Sequence, residues 1–227
     1  MSFCLEKNAL IASGMTKDDL IATYVRKLDK LTQRFIHEVK HIRDPLNAAR
    51  ALFNWLWIKK PHRYAPHGHY KLHHAIDSQL SKSIIAVGNC LGLTLLYNCL
   101  LRRVGIDTQA VYVENAFGIG PHVLTVLKTK ESMVDIENIV PEGFDYKGHI
   151  NNASRTLWGD QELVADIYHS LGNEWYEKGD YTEALKTYDM AIKLNPRYER
   201  ARLNRAIVLD RRGMEENTSS SQRKIKT

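Results

Sequence analysis

The sequence is poor in cysteine, with three residues in 227 and no Cys-x-x-Cys pair. Such a set cannot form a disulfide framework or build a structural zinc site on paired thiolates. Long apolar runs are missing too, since runs such as residues 84–87 are far too short to cross a bilayer. The first fourteen residues lack a basic segment followed by a long apolar one, so they predict no secretory signal. We therefore expect a cytoplasmic protein without a membrane partner.

No long block of one charge sign occurs either. The formal net charge is +6, but the basic clusters are short, at Lys59-Lys60 and Arg102-Arg103, and none is interleaved with aromatic residues. A nucleic-acid surface usually concentrates basic residues on one face or stripe, so no nucleic-acid partner is predicted. Apolar residues make up 44% of the chain and charged residues 26%, as in folded globular proteins.

The spacing of apolar residues divides the chain into helical and extended parts. A three- and four-residue period predicts helices over 16–40, from Pro45 to Pro61 and over 90–104, with Gly105 as a left-handed cap. A weaker helical segment at 75–87 precedes the last of these helices. Short β-branched stretches then predict an antiparallel sheet of at least three strands, at 108–113, 122–129 and 133–139, with a reversal at 130–132. This order of elements predicts an α+β fold.

The C-terminal part carries the spacing of one tetratricopeptide repeat (TPR), over about 165–198. The residues that carry it are Tyr168, Leu171, Gly172, Trp175, Gly179, Asp180, Tyr181, Ala184, Tyr188, Ala191 and Pro196. A polar capping helix is expected to follow. We therefore predict a core at 1–152 with N-terminal helices, a TPR-like segment at 153–213 and a disordered tail at 214–227.

Three residues of the predicted core have the chemistry of a cysteine nucleophile. Cys90 follows Gly88-Asn89 at the start of a helix, where backbone N–H groups and the helix dipole favour a thiolate. His122 and Asp135 lie on neighbouring predicted strands, as a base and a group that orients it. Glu137 is an alternative partner for the histidine, because strand alternation places it on the same face as Asp135. Cys99, nine residues after Cys90, points to the opposite side of the helix.

These residues also resemble a known family. The stretches 88–96 and 100–106, followed by Val111-Tyr112-Val113, His122-Val123 and Val134-Asp135, are similar to the core of the transglutaminase-like superfamily. The resemblance covers roughly 45–140 and implies a papain-like arrangement. In that arrangement Cys90 would be the nucleophile, His122 the base and Asp135 the orienting group. The backbone N–H of Cys90, or the side chain of Asn89 or Gln79, would stabilise the oxyanion.

The first hypothesis for function is a thiol enzyme that acts on an amide bond of a protein or peptide, either by hydrolysis or by acyl transfer. The alternative is a non-catalytic interaction scaffold that uses the TPR segment. A third hypothesis is a metal site among the histidines at 62, 67, 69, 73 and 74, although Pro61, Pro66 and Gly68 favour a loop there. No cofactor motif is evident, and the sequence does not specify an oligomeric state.

Overall fold

The computed structural model describes residues 3–39, 42–67, 69–129 and 132–225, with the backbone alone for 215–225. It divides after Leu163 into two compact units. The helices are α1 (Leu5–Ala12), α2 (Asp18–Glu38), α3 (Pro45–Lys59), α4 (Leu72–Leu80), α5 (Cys90–Arg103), α6 (Asp160–Glu177), α7 (Tyr181–Leu194) and α8 (Glu199–Ile225). The strands are β1 (Gln109–Ala116), β2 (Gly120–Lys128), β3 (Met133–Ile136) and β4 (Thr156–Trp158).

The first unit is built around α5, which is buried continuously from Leu91 to Leu101. Asn89 begins this helix as its N-cap, because its side-chain oxygen accepts a hydrogen bond from the backbone N–H of Gly92 at 3.1 Å. Gly105 ends it in the predicted left-handed conformation, with φ of 81°. The helix contacts β2 as well as α1 to α4. A helix that is apolar on all sides suits such a central position.

The four strands form one antiparallel sheet in the order β3-β2-β1-β4. The α+β prediction is confirmed, but β4 was not anticipated, since the sequence predicted strands only at 108–113, 122–129 and 133–139. Val113 pairs with His122 between β1 and β2, and Val126 pairs with Asp135 between β2 and β3. Residues 130 and 131 of the predicted reversal lie outside the described residues.

A polar seam joins α5 to the sheet. It consists of Thr94 and Asn98 on α5, Thr125 on β2 and Asn138 just after β3, all buried. The Thr125 hydroxyl donates to Asn98 Oδ1 at 2.7 Å, and the Asn138 amide donates to the hydroxyls of Thr125 at 3.0 Å and Thr94 at 3.2 Å. Each of these buried polar groups therefore has a partner that fixes its direction.

Two glycines beside Cys90 allow a neighbouring loop to approach the start of α5. The carbonyl of His69 lies against Gly88 and Gly92 and accepts a hydrogen bond from Asn89 N at 3.2 Å. A β-carbon at Gly92 would overlap this carbonyl oxygen, and one at Gly88 would lie 2.6 Å from it. The approach thus requires glycine at both positions.

We expect Gly92→Ala to lower the free energy of unfolding by about 1–3 kcal/mol, because the loop backbone must move to admit the methyl group. The measurement is urea unfolding followed by circular dichroism. Gly213→Ala is the matched control, since a β-carbon there meets nothing within 4 Å in helix α8. Equal stability of the two variants would contradict close packing around Gly92.

In the second unit, α6 and α7 form a helical pair whose close approach depends on Gly172. A β-carbon there would lie 2.5 Å from the Tyr188 ring. Tyr188 is buried with Ala184 and Val208, as the predicted spacing requires. The next helix, α8, continues to Ile225 rather than ending at the predicted boundary of residue 213. The described backbone therefore places helix over most of the segment that was predicted to be disordered.

Candidate functional site

Cys90 lies at the first position of α5 and is a free, half-buried thiol. The helix gives this position two electrostatic advantages for a thiolate. The first-turn N–H groups of a helix lack carbonyl partners within the helix, and the macrodipole places partial positive charge at that end. Cys99 differs, because it is buried in the middle of the helix and burial raises its thiol pKa. Of these two cysteines, only Cys90 therefore lies where the helix would stabilise a thiolate.

His122 stands between Cys90 and a buried carboxylate. Its Nε2 lies 2.7 Å from Glu137 Oε2, and the Cys90 thiol lies close enough to the ring to help raise the ring's pKa. Burial opposes protonation of the ring, yet the contacts with Cys90 and Glu137 outweigh it and raise the pKa of His122 to about 10. Because Glu137 occupies Nε2, Nδ1 is the nitrogen left for Cys90. The three residues thus follow one another in space in the order Cys90, His122 and Glu137.

The assignment of Asp135 as the orienting group is corrected by this geometry. The Asp135 carboxylate pairs with Arg155, through Nη1 at 2.6 Å and Nη2 at 2.9 Å. The reason is the register of the sheet: Asp135 is opposite Val126, four residues along β2 from His122. At roughly 3.3 Å per residue that offset is about 13 Å, too far for a hydrogen bond. Glu137, the alternative from the sequence, is two residues closer.

His149 is a second histidine at this carboxylate that sequence reasoning missed. Its Nε2 lies 3.7 Å from Glu137 Oε2, and the side chain is buried. Desolvation is the main reason that its pKa is lowered. Its place in an irregular polar loop gave no periodic signal, and Arg155, in the same loop region, was missed for the same reason.

Aromatic side chains cover the two histidines. The Phe117 ring packs edge-on against His149 at 4.7 Å and against His122 at 5.4 Å between centroids. Phe117 is half exposed at the β1–β2 turn, where it adopts a positive φ of 55°. Tyr146 lies 5.2 Å from the His149 ring, and Tyr64 lies near enough to Cys90 and Glu137 for their charges to help burial raise its pKa. An aromatic rim therefore lies beside the two histidines.

Asn89 and Gln79, the two side chains predicted to stabilise an oxyanion, also make contacts elsewhere in the structure. The Asn89 side-chain oxygen is used as the helix cap. Gln79 lies on α4 and lines a pocket with Leu31, Trp55 and Lys60, a group that does not include Cys90. The cap leaves the Asn89 amide N–H groups as candidates, together with the backbone N–H of Cys90 at the first position of α5, where an intrahelical acceptor is not available.

The histidine-rich segment forms a cluster of rings rather than a three-ligand site. His74 Nδ1 and His69 Nδ1 are 3.0 Å apart, and the His73 ring packs against His74 with centroids 4.0 Å apart. Among the described residues, the group of three metal-ligand side chains that converge is instead His122, Glu137 and His149. The hypothesis of a metal site at 62–74 therefore gains no support from this arrangement.

His73 gives the fold an expected acid sensitivity. Burial, together with His74 and Lys71, lowers its pKa from 6.5 to about 4. Between pH 6.5 and 4 the unfolded chain binds a proton that the folded chain excludes, so stability falls as the pH falls through this window. We expect the wild type to lose about 2–3 kcal/mol more than His73→Phe between pH 7 and 4. Urea unfolding at both pH values measures this, and parallel losses in the two proteins would contradict it.

In the second unit, a groove is lined by Asn173, Tyr176, Glu177, Tyr188, Asn204 and Ile207. Asn173 Oδ1 accepts hydrogen bonds from the Tyr188 hydroxyl at 2.6 Å and from the Asn204 amide at 2.9 Å. Buried His169 extends this network to Tyr198 and Asn204. The polar floor of the groove is thus fixed by contacts among α6, α7 and α8.

Comparison with known proteins supports the C-terminal assignment. A family model for the TPR repeat matches residues 172–213, which span the end of α6, α7 and the first part of α8. No curated protein and no solved structure matches the chain significantly. Within the described residues, no helix is long and apolar enough to cross a membrane. The comparisons provide no evidence for a transglutaminase-like domain, whereas the TPR repeat is confirmed and supports a role in protein interaction.

Proposed function

We propose that the first unit is a thiol enzyme that acts on acyl groups, with Cys90 as nucleophile, His122 as base and Glu137 as the group that orients His122. The observation that carries this proposal is the position of buried His122 between the thiol and the Glu137 carboxylate. Nucleophile, base and orienting group within hydrogen-bond reach are the mark of an activated nucleophile.

Each group has a defined task in this reaction. The Cys90 proton passes to His122, and the thiolate sulfur forms a bond to the carbonyl carbon of an amide while the carbonyl π electrons move to oxygen. As the tetrahedral adduct collapses, the carbon–nitrogen bond breaks and His122 returns the proton to the leaving amine. Glu137 holds the imidazole and stabilises its cationic form. Water or a second amine then releases the acyl group from Cys90, which makes the protein a hydrolase or an acyltransferase.

The substrate proposed is a protein or peptide. Two features support it: the aromatic rim formed by Phe117 and Tyr146 beside His149, and a TPR unit in the same chain, since TPR repeats serve protein interaction. Neither feature distinguishes hydrolysis from acyl transfer.

The direct test is the rate of Cys90 alkylation by iodoacetamide as a function of pH, in a chelating buffer. Modification at Cys90 is read by peptide mass spectrometry, and Cys90→Ser identifies background labelling. We expect labelling already at pH 5–6, because the raised pKa of His122 keeps its ring cationic there and the cation stabilises a neighbouring thiolate. His122→Ala should shift the profile towards higher pH.

An ordinary profile in the wild type, unchanged in His122→Ala, would contradict a thiolate–imidazolium pair. The chain would then act as an interaction scaffold, the second candidate function. The TPR match and the groove beside Ile207 favour that role. Its test compares the proteins captured by the wild type with those captured by Ile207→Asp. Leu203→Asp is the control, on the same exposed helix but outside the groove lining. Equal loss in both variants would count against the groove.

A further inference from the structure

Three ligand atoms converge on one side of the His122 ring. His122 Nε2, a Glu137 carboxylate oxygen and a His149 nitrogen all lie within 4.8 Å of one another. Glu137 Oε2 is 2.7 Å from the first histidine and 3.7 Å from the second. Ligands of a tetrahedral zinc ion, at about 2.0–2.1 Å from the metal, are separated by roughly 3.3 Å. The observed separations bracket that value, so small side-chain movements bring all three atoms to a metal.

The state of His149 is the second observation. Its Nε2 is buried and has no hydrogen-bond partner among the described residues, although it points towards Glu137. A buried polar atom without a partner costs about 1–3 kcal/mol. A metal ion at this position would take the lone pair of Nε2 and remove that cost.

The charges around the cluster also suit a cation. Glu137 is fully buried, and the nearby Asp135 is neutralised by Arg155. Two imidazoles and one carboxylate then leave a net negative site once both histidines are neutral. Imidazole ligands suit zinc and its first-row neighbours, whereas Mg²⁺ and Ca²⁺ prefer oxygen.

We propose that His122, Glu137 and His149 form a binding site for a divalent first-row transition metal such as Zn²⁺. The open coordination positions are filled by water. Cys90 is not a member of the converging group, so it is not required as a ligand.

Occupancy of this site has a consequence for Cys90 that rests on the proposed function. A metal on Nε2 of His122 leaves the ring proton on Nδ1, the nitrogen that faces the thiol. That nitrogen then cannot accept the Cys90 proton, and Glu137 no longer orients the ring for proton transfer. Zinc therefore acts as a reversible inhibitor of the thiol, competing for His122 rather than for the sulfur.

The test is calorimetric titration of the untagged full chain with Zn²⁺. We expect a stoichiometric site in the wild type, at least about 100-fold weaker in His149→Ala and in Glu137→Gln. His74→Ala controls for the separate histidine cluster, and Cys90→Ser controls for thiolate ligation; both should retain the site. Absorption of bound Co²⁺ reports the coordination directly, and circular dichroism verifies that each variant is folded. If His149→Ala does not fold, Glu137→Gln provides the same comparison.

Unchanged zinc affinity in the folded His149→Ala and Glu137→Gln variants would overturn the site, as would the lack of a stoichiometric site in the wild type. The alkylation assay separates this result from the proposed function. Zinc binding that depends on His149, together with an ordinary alkylation profile of Cys90, would support the metal site and contradict the proposed enzyme. A reactive thiol that zinc slows in the wild type, but not in His149→Ala, supports both.

Discussion

Replacing Glu137 by glutamine should slow alkylation of Cys90 at pH 6 by about 10- to 100-fold, whereas Asp135→Asn should leave the rate unchanged. In the proposed site, Glu137 accepts a charge-assisted hydrogen bond from the His122 cation that would stabilise the thiolate, and such a bond contributes about 1.5–3 kcal/mol. Asp135 interacts with Arg155 instead. Both substitutions replace one carboxylate oxygen of a buried side chain by an amide NH2 group, so they change the size of the side chain equally little.

The assay is the one described for Cys90, carried out with chelator so that bound metal does not contribute. A parallel shift of the pH profile towards higher pH in Glu137→Gln shows that the carboxylate acts through His122 and not through general destabilisation. If Asp135→Asn slowed alkylation as much as Glu137→Gln, the role of Asp135 implied by the family resemblance would be restored, and the role of Glu137 derived from the sheet register would be wrong.

Arg155→Met should lower the free energy of unfolding by about 3–5 kcal/mol. The Asp135 side chain is only 2% exposed and forms two hydrogen bonds with the guanidinium, so loss of the arginine leaves a buried charge without a partner. Lys147→Met provides the control, because it removes the exposed pair with Asp145 and should cost at most about 1 kcal/mol. Urea unfolding measures both.

The double variant Arg155→Met/Asp135→Asn should recover part of the loss, since it removes the orphaned charge. A cost for Arg155→Met no larger than that for Lys147→Met would mean that the buried pair does not hold the loop after β3 to the sheet. In that case the position of nearby His149 would need another explanation.

The sequence predicted Cys90 and His122 as nucleophile and base, the roles that the proposed function keeps, but it left two alternatives, Asp135 and Glu137, for the group that orients the histidine. Cys90 has a local signal, a helix start after an Asn cap, and His122 opens a β-rich stretch. The choice between Asp135 and Glu137 depends on how β3 aligns with β2, which strand alternation cannot decide. The alignment is fixed by pairs such as Lys128 with Met133, and no sequence pattern specified it.

The helices show a similar contrast between local and long-range information. The second predicted helix begins at Pro45 as expected, because Asp44 caps it by accepting from Asn47 N and proline suits the first turn. Strand β4 has only three residues and exists because β1 offers it an edge, which local patterns cannot indicate. Helix α1, of eight residues, also depends on burial against other helices and was not predicted.

The polar seam between α5 and the sheet sets the rotation of the helix about its own axis. Leucines lie on all sides of α5, so the burial of apolar residues alone would permit several rotations of the helix about its axis. Successive residues of a helix are about 100° apart around this axis. The hydrogen bonds that Asn98 accepts from Thr125 and Thr94 accepts from Asn138 fit one rotation only. This rotation also fixes the direction of Cys90, which lies about one turn before Thr94. Apolar replacements in the seam should therefore leave the protein folded but change the direction of the Cys90 side chain relative to His122.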